Sequence, residues 1–262
     1  MGRFFILLTV VVLSSCEYND IGLRSGPIDS KIIIETREIL EPKSRHLTFF
    51  CATESLYTCA NFFLATEKEI NEKSLKVTFT SVGVSDFCLQ AYGPATTSVD
   101  FSTLPKGEYS IQFNIKNLQN KGTLKVTSTD ISLLFGQKEG IEFVRETTNR
   151  VPDKTYWGTI GYREESSSIL VEEFIQKFAD AGAVFNKQSP GHYYYYEINA
   201  SGDIISDVEN SGYRLIKKFI FQYDGDESKL KELVQVDGKN YKESLSMRLE
   251  TYKGEMFYNW GN

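Results

Sequence analysis

Between residues 31 and 135 apolar side chains recur at every second position, and turn residues punctuate the pattern. Leu75, Val77 and Phe79 alternate with Lys76, Thr78 and Thr80, the period of a half-buried strand. The turn signal Leu104-Pro105-Lys106-Gly107 opens a run in which Tyr109, Ile111, Phe113 and Ile115 share one face. Gly122 leads into another run, with Leu124, Val126, Ile131 and Leu133. Stretches 31–39, 46–52 and 61–66 also read as strands. A helix across 55–70 competes, because Leu56, Cys59, Phe63 and Ile70 fall near helical spacing; the strand reading is preferred. A series of short strands separated by turns predicts a β-sandwich over 31–136.

The polar, glycine-bounded break at 136–140 marks a change of period. After a strand at 155–162, Leu170, Val171, Phe174, Ile175 and Phe178 form one helical stripe. Serines 166–168 stand where an N-cap belongs, Glu172 and Glu173 fall in the first turn, and Gly182 follows the end. Strands are expected at 192–199 and 213–223. A short helix follows at 226–234, with Leu230, Leu233 and Val234 inward, and then a hairpin around Lys253-Gly254. The order β-α-β-β-α-β over 140–262 resembles the ferredoxin-like fold. The sandwich resembles immunoglobulin-like modules in architecture, without their Cys…Trp…Cys signature. The expected fold is therefore α+β overall: an N-terminal all-β immunoglobulin-like sandwich, then an α+β, ferredoxin-like domain.

At the N-terminus Arg3 precedes an apolar run from Phe4 to Leu13, broken only by Thr9 and closed by Ser14, Ser15 and Cys16. Such a run is too short to span a bilayer, which takes about 20 apolar residues. It has the length of a secretory h-region. Leu13-Ser14-Ser15-Cys16 resembles the lipobox of bacterial lipoproteins. The resemblance implies cleavage before Cys16, diacylglycerol on its thiol and acylation of the new α-amine. Two or more acyl chains anchor stably where one does not. Residues 1–15 are then a signal peptide and 16–30 an acylated tether, carrying Asn19, Asp20, Gly22, Ser25, Gly26 and Pro27. Glu17 and Asp20 resemble the acidic sorting signals by which some Gram-negative lineages export lipoproteins to the cell surface. The expected location is the cell envelope, at the periplasmic face or outer surface of the outer membrane.

Composition narrows the partners. With 41% hydrophobic and 24% charged residues the chain can bury a core. A net charge of −6 without a dense basic run argues against nucleic acid, whose phosphates demand clustered Lys and Arg. In an oxidising compartment two of Cys51, Cys59 and Cys88 are expected to bridge. Cys51–Cys59 is preferred, because the two flank a short segment between strand-like runs; Cys59–Cys88 is the alternative. Three cysteines without CxxC spacing or nearby histidines do not resemble a zinc site, and no metal or other cofactor is expected.

Catalytic signatures are missing. The two histidines, His46 and His192, have no nucleophile at a known spacing. Ser228 and Lys231 have the SxxK spacing of penicillin-binding enzymes, but the SDN and KTG partners are absent. The acidic turn Asp224-Gly225-Asp226-Glu227 fails EF-hand spacing and reads as helix capping.

The distinctive feature is Tyr193, Tyr194, Tyr195 and Tyr196 in succession. On one continuous strand, 193 and 195 face one way and 194 and 196 the other. An exposed pair forms a platform suited to sugar rings or protein partners. Trp157 and Trp260 read as core. These observations favour a membrane-anchored extracytoplasmic lipoprotein with a non-catalytic binding or structural role. Its partners would be the membrane, through the N-terminal lipid, and a glycan or envelope protein. The alternative is an extracytoplasmic hydrolase acting on a glycan or cell-envelope substrate through carboxylates that spacing does not reveal.

Overall fold

The structure is a computed structural model and describes residues 25–84, 87–205 and 213–260. Cys16, with the signal peptide and most of the tether, lies outside the described residues.

The chain begins with β1 (Ser25–Gly26), β2 (Ile32–Glu41), β3 (Ser44–Tyr57), β4 (Phe62–Asn71) and β5 (Ser74–Val84). It continues through β6 (Gly93–Phe101), β7 (Gly107–Ile115), β8 (Leu118–Val126), β9 (Asp130–Phe135), β10 (Ile141–Phe143) and β11 (Thr147–Asn149). These strands join a single mixed sheet, in the order β10-β2-β3-β6-β4-β5-β7-β8-β9-β11, with β1 beside β5. Alternation is regular on β2, where Ile32, Ile34, Thr36, Glu38 and Leu40 point inward. The core inside the curl is aromatic: Phe49 meets Phe101 and Phe113 edge-on, with ring centroids 5.5 and 5.4 Å away.

This overturns the two-layer sandwich. Period-two alternation identifies the buried face of each strand but not its neighbours. Here β5 pairs in parallel with β7, and the strands continue as one twisted sheet instead of dividing into two. The sheet curls until its far end returns to β2: the Thr148 hydroxyl of β11 donates to the Thr36 carbonyl at 3.4 Å. Glu38 faces inward at the same seam, with its side chain 3% exposed. It accepts from Arg150 Nε at 2.7 Å and from the Val151 amide at 3.1 Å, and Arg45 lies 3.6 Å away. The glycine-bounded break at 136–140 is a connection within this sheet, since β10 lies parallel beside β2.

The rest of the chain comprises β12 (Thr155–Tyr162), α1 (Ser168–Asp180), β13 (Gly191–Tyr193), β14 (Tyr196–Ile198), β15 (Leu215–Gln222), α2 (Glu227–Gln235), β16 (Leu245–Thr251) and β17 (Met256–Tyr258). The apolar stripe of α1 is buried as expected through Val171, Phe174 and Phe178. Asp226 caps α2 by accepting from the Ser228 amide. However, β13 and β14 do not join the second sheet. They extend the first one, through β11 and β13. The second sheet is antiparallel, in the order β15-β12-β16-β17. The C-terminal part is therefore not a self-contained ferredoxin-like unit, because two of its strands belong to the large sheet. One face of the small sheet carries the helices, with Tyr156 and Phe221 packed among Phe174, Phe178, Leu230 and Val234. The other turns Trp157 and Ile220 toward Leu40, Tyr193 and Tyr196 of the large sheet. Gly254 (φ 74°) seals this junction; a Cβ there would collide with the Leu40 carbonyl.

The disulfide is Cys59–Cys88, not Cys51–Cys59. β3 does not stop at residue 52 but runs to Tyr57, which carries the chain about 20 Å beyond Cys51. Cys51 is a free thiol sealed in the core, and burial pushes its pKa up. Part of the expected tether is also structured: Ser25 and Gly26 pair with Gly83 and Val82, and Ile28 is buried in the main core.

Candidate functional site: an aromatic cleft between the sheets

The four tyrosines do not lie on one strand. Tyr194 and Tyr195 form the two-residue turn of a hairpin, so Tyr193 and Tyr196 stand opposite each other. Their rings stack at 4.7 Å and both are buried. The expected pairing of 193 with 195 and 194 with 196 is therefore replaced by 193 with 196 and 194 with 195. Tyr193 donates its hydroxyl hydrogen to the Ser189 carbonyl at 3.0 Å. The Tyr195 hydroxyl accepts from the Leu40 amide at 2.8 Å. Tyr194 packs edge-on against Tyr195 at 4.9 Å, and the Arg37 guanidinium lies 5.1 Å from the Tyr194 ring.

The second wall comes from the small sheet. Trp157 on β12 reaches across to Tyr195 and Tyr196, with ring centroids 5.5 and 5.1 Å apart. Beside it on β16, Arg248 and Glu250 form an ion pair at 3.0 Å. Arg145 and Glu197 stand 3.8 Å apart and also line the cleft. These groups enclose a cleft of about 730 Å³, well within the range of small-molecule sites.

Burial controls its electrostatics. It raises the pKa of Glu250, a rise opposed mainly by Arg248. It lowers the pKa of His192, helped by Arg145 and opposed by Glu197 and Glu35. It pushes the Tyr195 hydroxyl up to about 12, against the Leu40 amide. Among the described residues six buried side-chain polar atoms lack a hydrogen-bond partner, and four belong to this cleft: Trp157 Nε1, His192 Nδ1, Tyr196 Oη and Arg248 Nε. The Trp157 indole also opposes the rise in the Glu250 pKa. Unpartnered buried polar groups are rare, and each costs about 1–3 kcal/mol. Indole and guanidinium N–H groups can only donate, and here both lie against the Glu250 carboxylate.

The other sequence candidates lie elsewhere. His46 meets Ser44 at 2.8 Å and Glu41 at 2.9 Å, a serine-histidine-carboxylate trio at the β2–β3 turn. Both contacts use the same ring nitrogen, Nε2, whereas a nucleophile relay needs opposite nitrogens. The Lys231 ammonium lies over the Phe257 ring at 5.8 Å. Among the described residues no three His, Cys, Asp or Glu side chains group as a metal site.

The sequence pattern does not single out Arg145, Arg248 or Glu250; Trp157 is core as expected, at 3% exposed, whereas Trp260, also expected in the core, is 47% exposed. One signal was present: Arg248 and Glu250 alternate with the buried Met247 and Leu249. That pattern reads as a solvated outer face, but this face is the wall of the cleft. Compared with models of known families, with curated proteins and with solved structures, the chain shows no match.

Proposed function

We propose that the chain is an envelope lipoprotein, held through Cys16 at the outer membrane, and that its folded part captures a glycan without transforming it. One observation carries the capture reading: the half-exposed rings of Tyr194 and Tyr195, backed by buried Trp157, line a single cleft with the ion pairs Arg145–Glu197 and Arg248–Glu250. Sugar rings present an apolar face to aromatic side chains and oxygen acceptors around their rim. The ion pairs Arg145–Glu197 and Arg248–Glu250 balance charge, which suits a neutral saccharide.

The test is a glycan-array screen followed by titration calorimetry on the saccharides retained. Tyr194→Ala removes a half-exposed ring from the cleft lining. It should weaken binding about tenfold, the worth of one aromatic contact at the upper end of its range. Failure of the wild-type protein to retain any saccharide would overturn the capture reading. The raised pKa of Glu250 favours the hydrolase reading, which predicts cleavage of the retained glycan and its loss in Glu250→Gln. The anchor is tested separately, by fatty-acid labelling: the label should be present on the wild type and absent from Cys16→Ser.

A further inference from the structure

The described chain begins at one end of the large sheet, where Ser25 lies opposite Gly83 on β5. β3 finishes at the same end and β4 starts there, with Phe62 opposite Val84 and Phe63 opposite Gly83. Four exposed apolar side chains gather here: Leu56 (64% exposed), Phe87 (63%), Leu89 (51%) and Tyr92 (77%). They are held in place. Cys59–Cys88 ties the two segments together, and Ala60 donates its amide to the Leu89 carbonyl at 3.0 Å. The Asn61 side chain donates to the Phe87 carbonyl at 2.7 Å and accepts from the Leu89 amide at 2.9 Å.

Segments 55–63 and 87–93 contain no charged residue, in a chain that is 24% charged. The acidic groups lie at their borders: Glu54 is exposed beside Ser55, Asp86 precedes Phe87 in sequence, and Asp29 accepts from the Tyr57 hydroxyl at 3.3 Å, so contact confined to Leu56, Phe87, Leu89 and Tyr92 would desolvate no ion. Leucine, phenylalanine and tyrosine are the side chains that settle at the boundary between headgroups and acyl chains. Nine positions separate Cys16 from Ser25. A flexible segment of that length spans about 16 Å on average and about 30 Å at full stretch. A bilayer holding the Cys16 acyl chains would thus lie within reach of these side chains at all times, at high effective concentration.

We propose that the uncharged segments 55–63 and 87–93 at this end form a lipid-contact surface, seating the protein on the bilayer in which its own acyl chains are inserted. The proposal rests on the Cys16 anchor reading, and its test separates the two. Nitroxide labels go on Tyr92→Cys and, at the opposite end of the sheet, on Lys43→Cys. In both, Cys16 is already blocked by coupling to a maleimide lipid in phosphatidylcholine vesicles, so the tether is present whether or not cells acylate the chain. At position 92 the label should gain collisions with oxygen and lose collisions with a water-soluble nickel complex; at 43 it should remain in water. Equal water exposure at both positions overturns the lipid-contact surface and leaves the anchor untouched. A label at 92 shielded from both reagents, with cross-linked dimers, also overturns it in favour of a second copy. Absence of fatty-acid label on the cellular protein would refute the natural anchor alone.

Discussion

The Tyr195 hydroxyl accepts a hydrogen bond from the Leu40 amide at 2.8 Å, across 155 positions of sequence. It fixes the turn of the β13–β14 hairpin against the end of β2. Tyr195→Phe keeps the ring beside Trp157 and deprives the Leu40 amide of its acceptor. The expected loss is about 1–3 kcal/mol, the desolvation cost of an unpartnered amide. Urea melts of the two proteins measure it. Unchanged stability would mean that water replaces the hydroxyl and the bond does not hold the hairpin.

The hairpin geometry also separates the four tyrosines by role. Tyr193 and Tyr196 are each 3% exposed, so alanine at either should cost about 3–5 kcal/mol. Tyr194→Ala loses the Arg37 contact, worth about 0.5–1 kcal/mol, and the edge-on contact with Tyr195, worth about 0.5–1.5 kcal/mol, and removes one ring from the cleft lining. Paired melts and saccharide titrations should therefore show 193 and 196 acting on the fold, and 194 acting on binding.

His192 supplies a pH signature. Burial and Arg145 disfavour its charged form in the folded protein. Its contribution to stability is whole above the ordinary histidine pKa of about 6.5 and is lost as pH falls from there through the depressed folded value. His192→Gln removes the group. The difference in stability between wild type and variant should then shift against the wild type on acidification below about pH 6.5. A difference independent of pH would show that the imidazole titrates as it does in the unfolded chain.

The Cys59–Cys88 bridge closes a loop of sequence separation 29. Replacing both cysteines by serine should cost about 3–4 kcal/mol through the freed unfolded chain. Cys51 should stay silent to a thiol reagent until the protein unfolds, since it is 0% exposed and burial disfavours its thiolate. Reaction of Cys51 in the native protein would show that the core opens around β3.

Local features were legible in the sequence: the inward face of each strand, α1 with its Phe174 and Phe178 stripe, and Asp226 before α2. Pairing was not. Nothing in the alternation of Leu75, Val77 and Phe79 specifies the parallel neighbour Ile111, Phe113 and Ile115 across β7. A period of two also cannot locate a turn inside four identical residues, so the Tyr194-Tyr195 corner is indistinguishable from strand in the sequence. The cleft depends on both missing facts. The hairpin had to leave the second sheet before its tyrosines could face Trp157, Arg248 and Glu250.

β2 runs from Ile32, near the end where the chain starts at Ser25, to Leu40, against the hairpin turn at Tyr195. Eight residue steps at about 3.3 Å make that strand a strut of roughly 26 Å. For a protein tethered through Cys16, the strut sets a working height: the cleft is held clear of the surface layer, open toward whatever passes above it. Adding two residues to both β2 and β3 would preserve which side chains face inward and raise the cleft by about 7 Å. Strand length in β2 and β3 is therefore what sets the distance between the end where the described chain starts and the cleft.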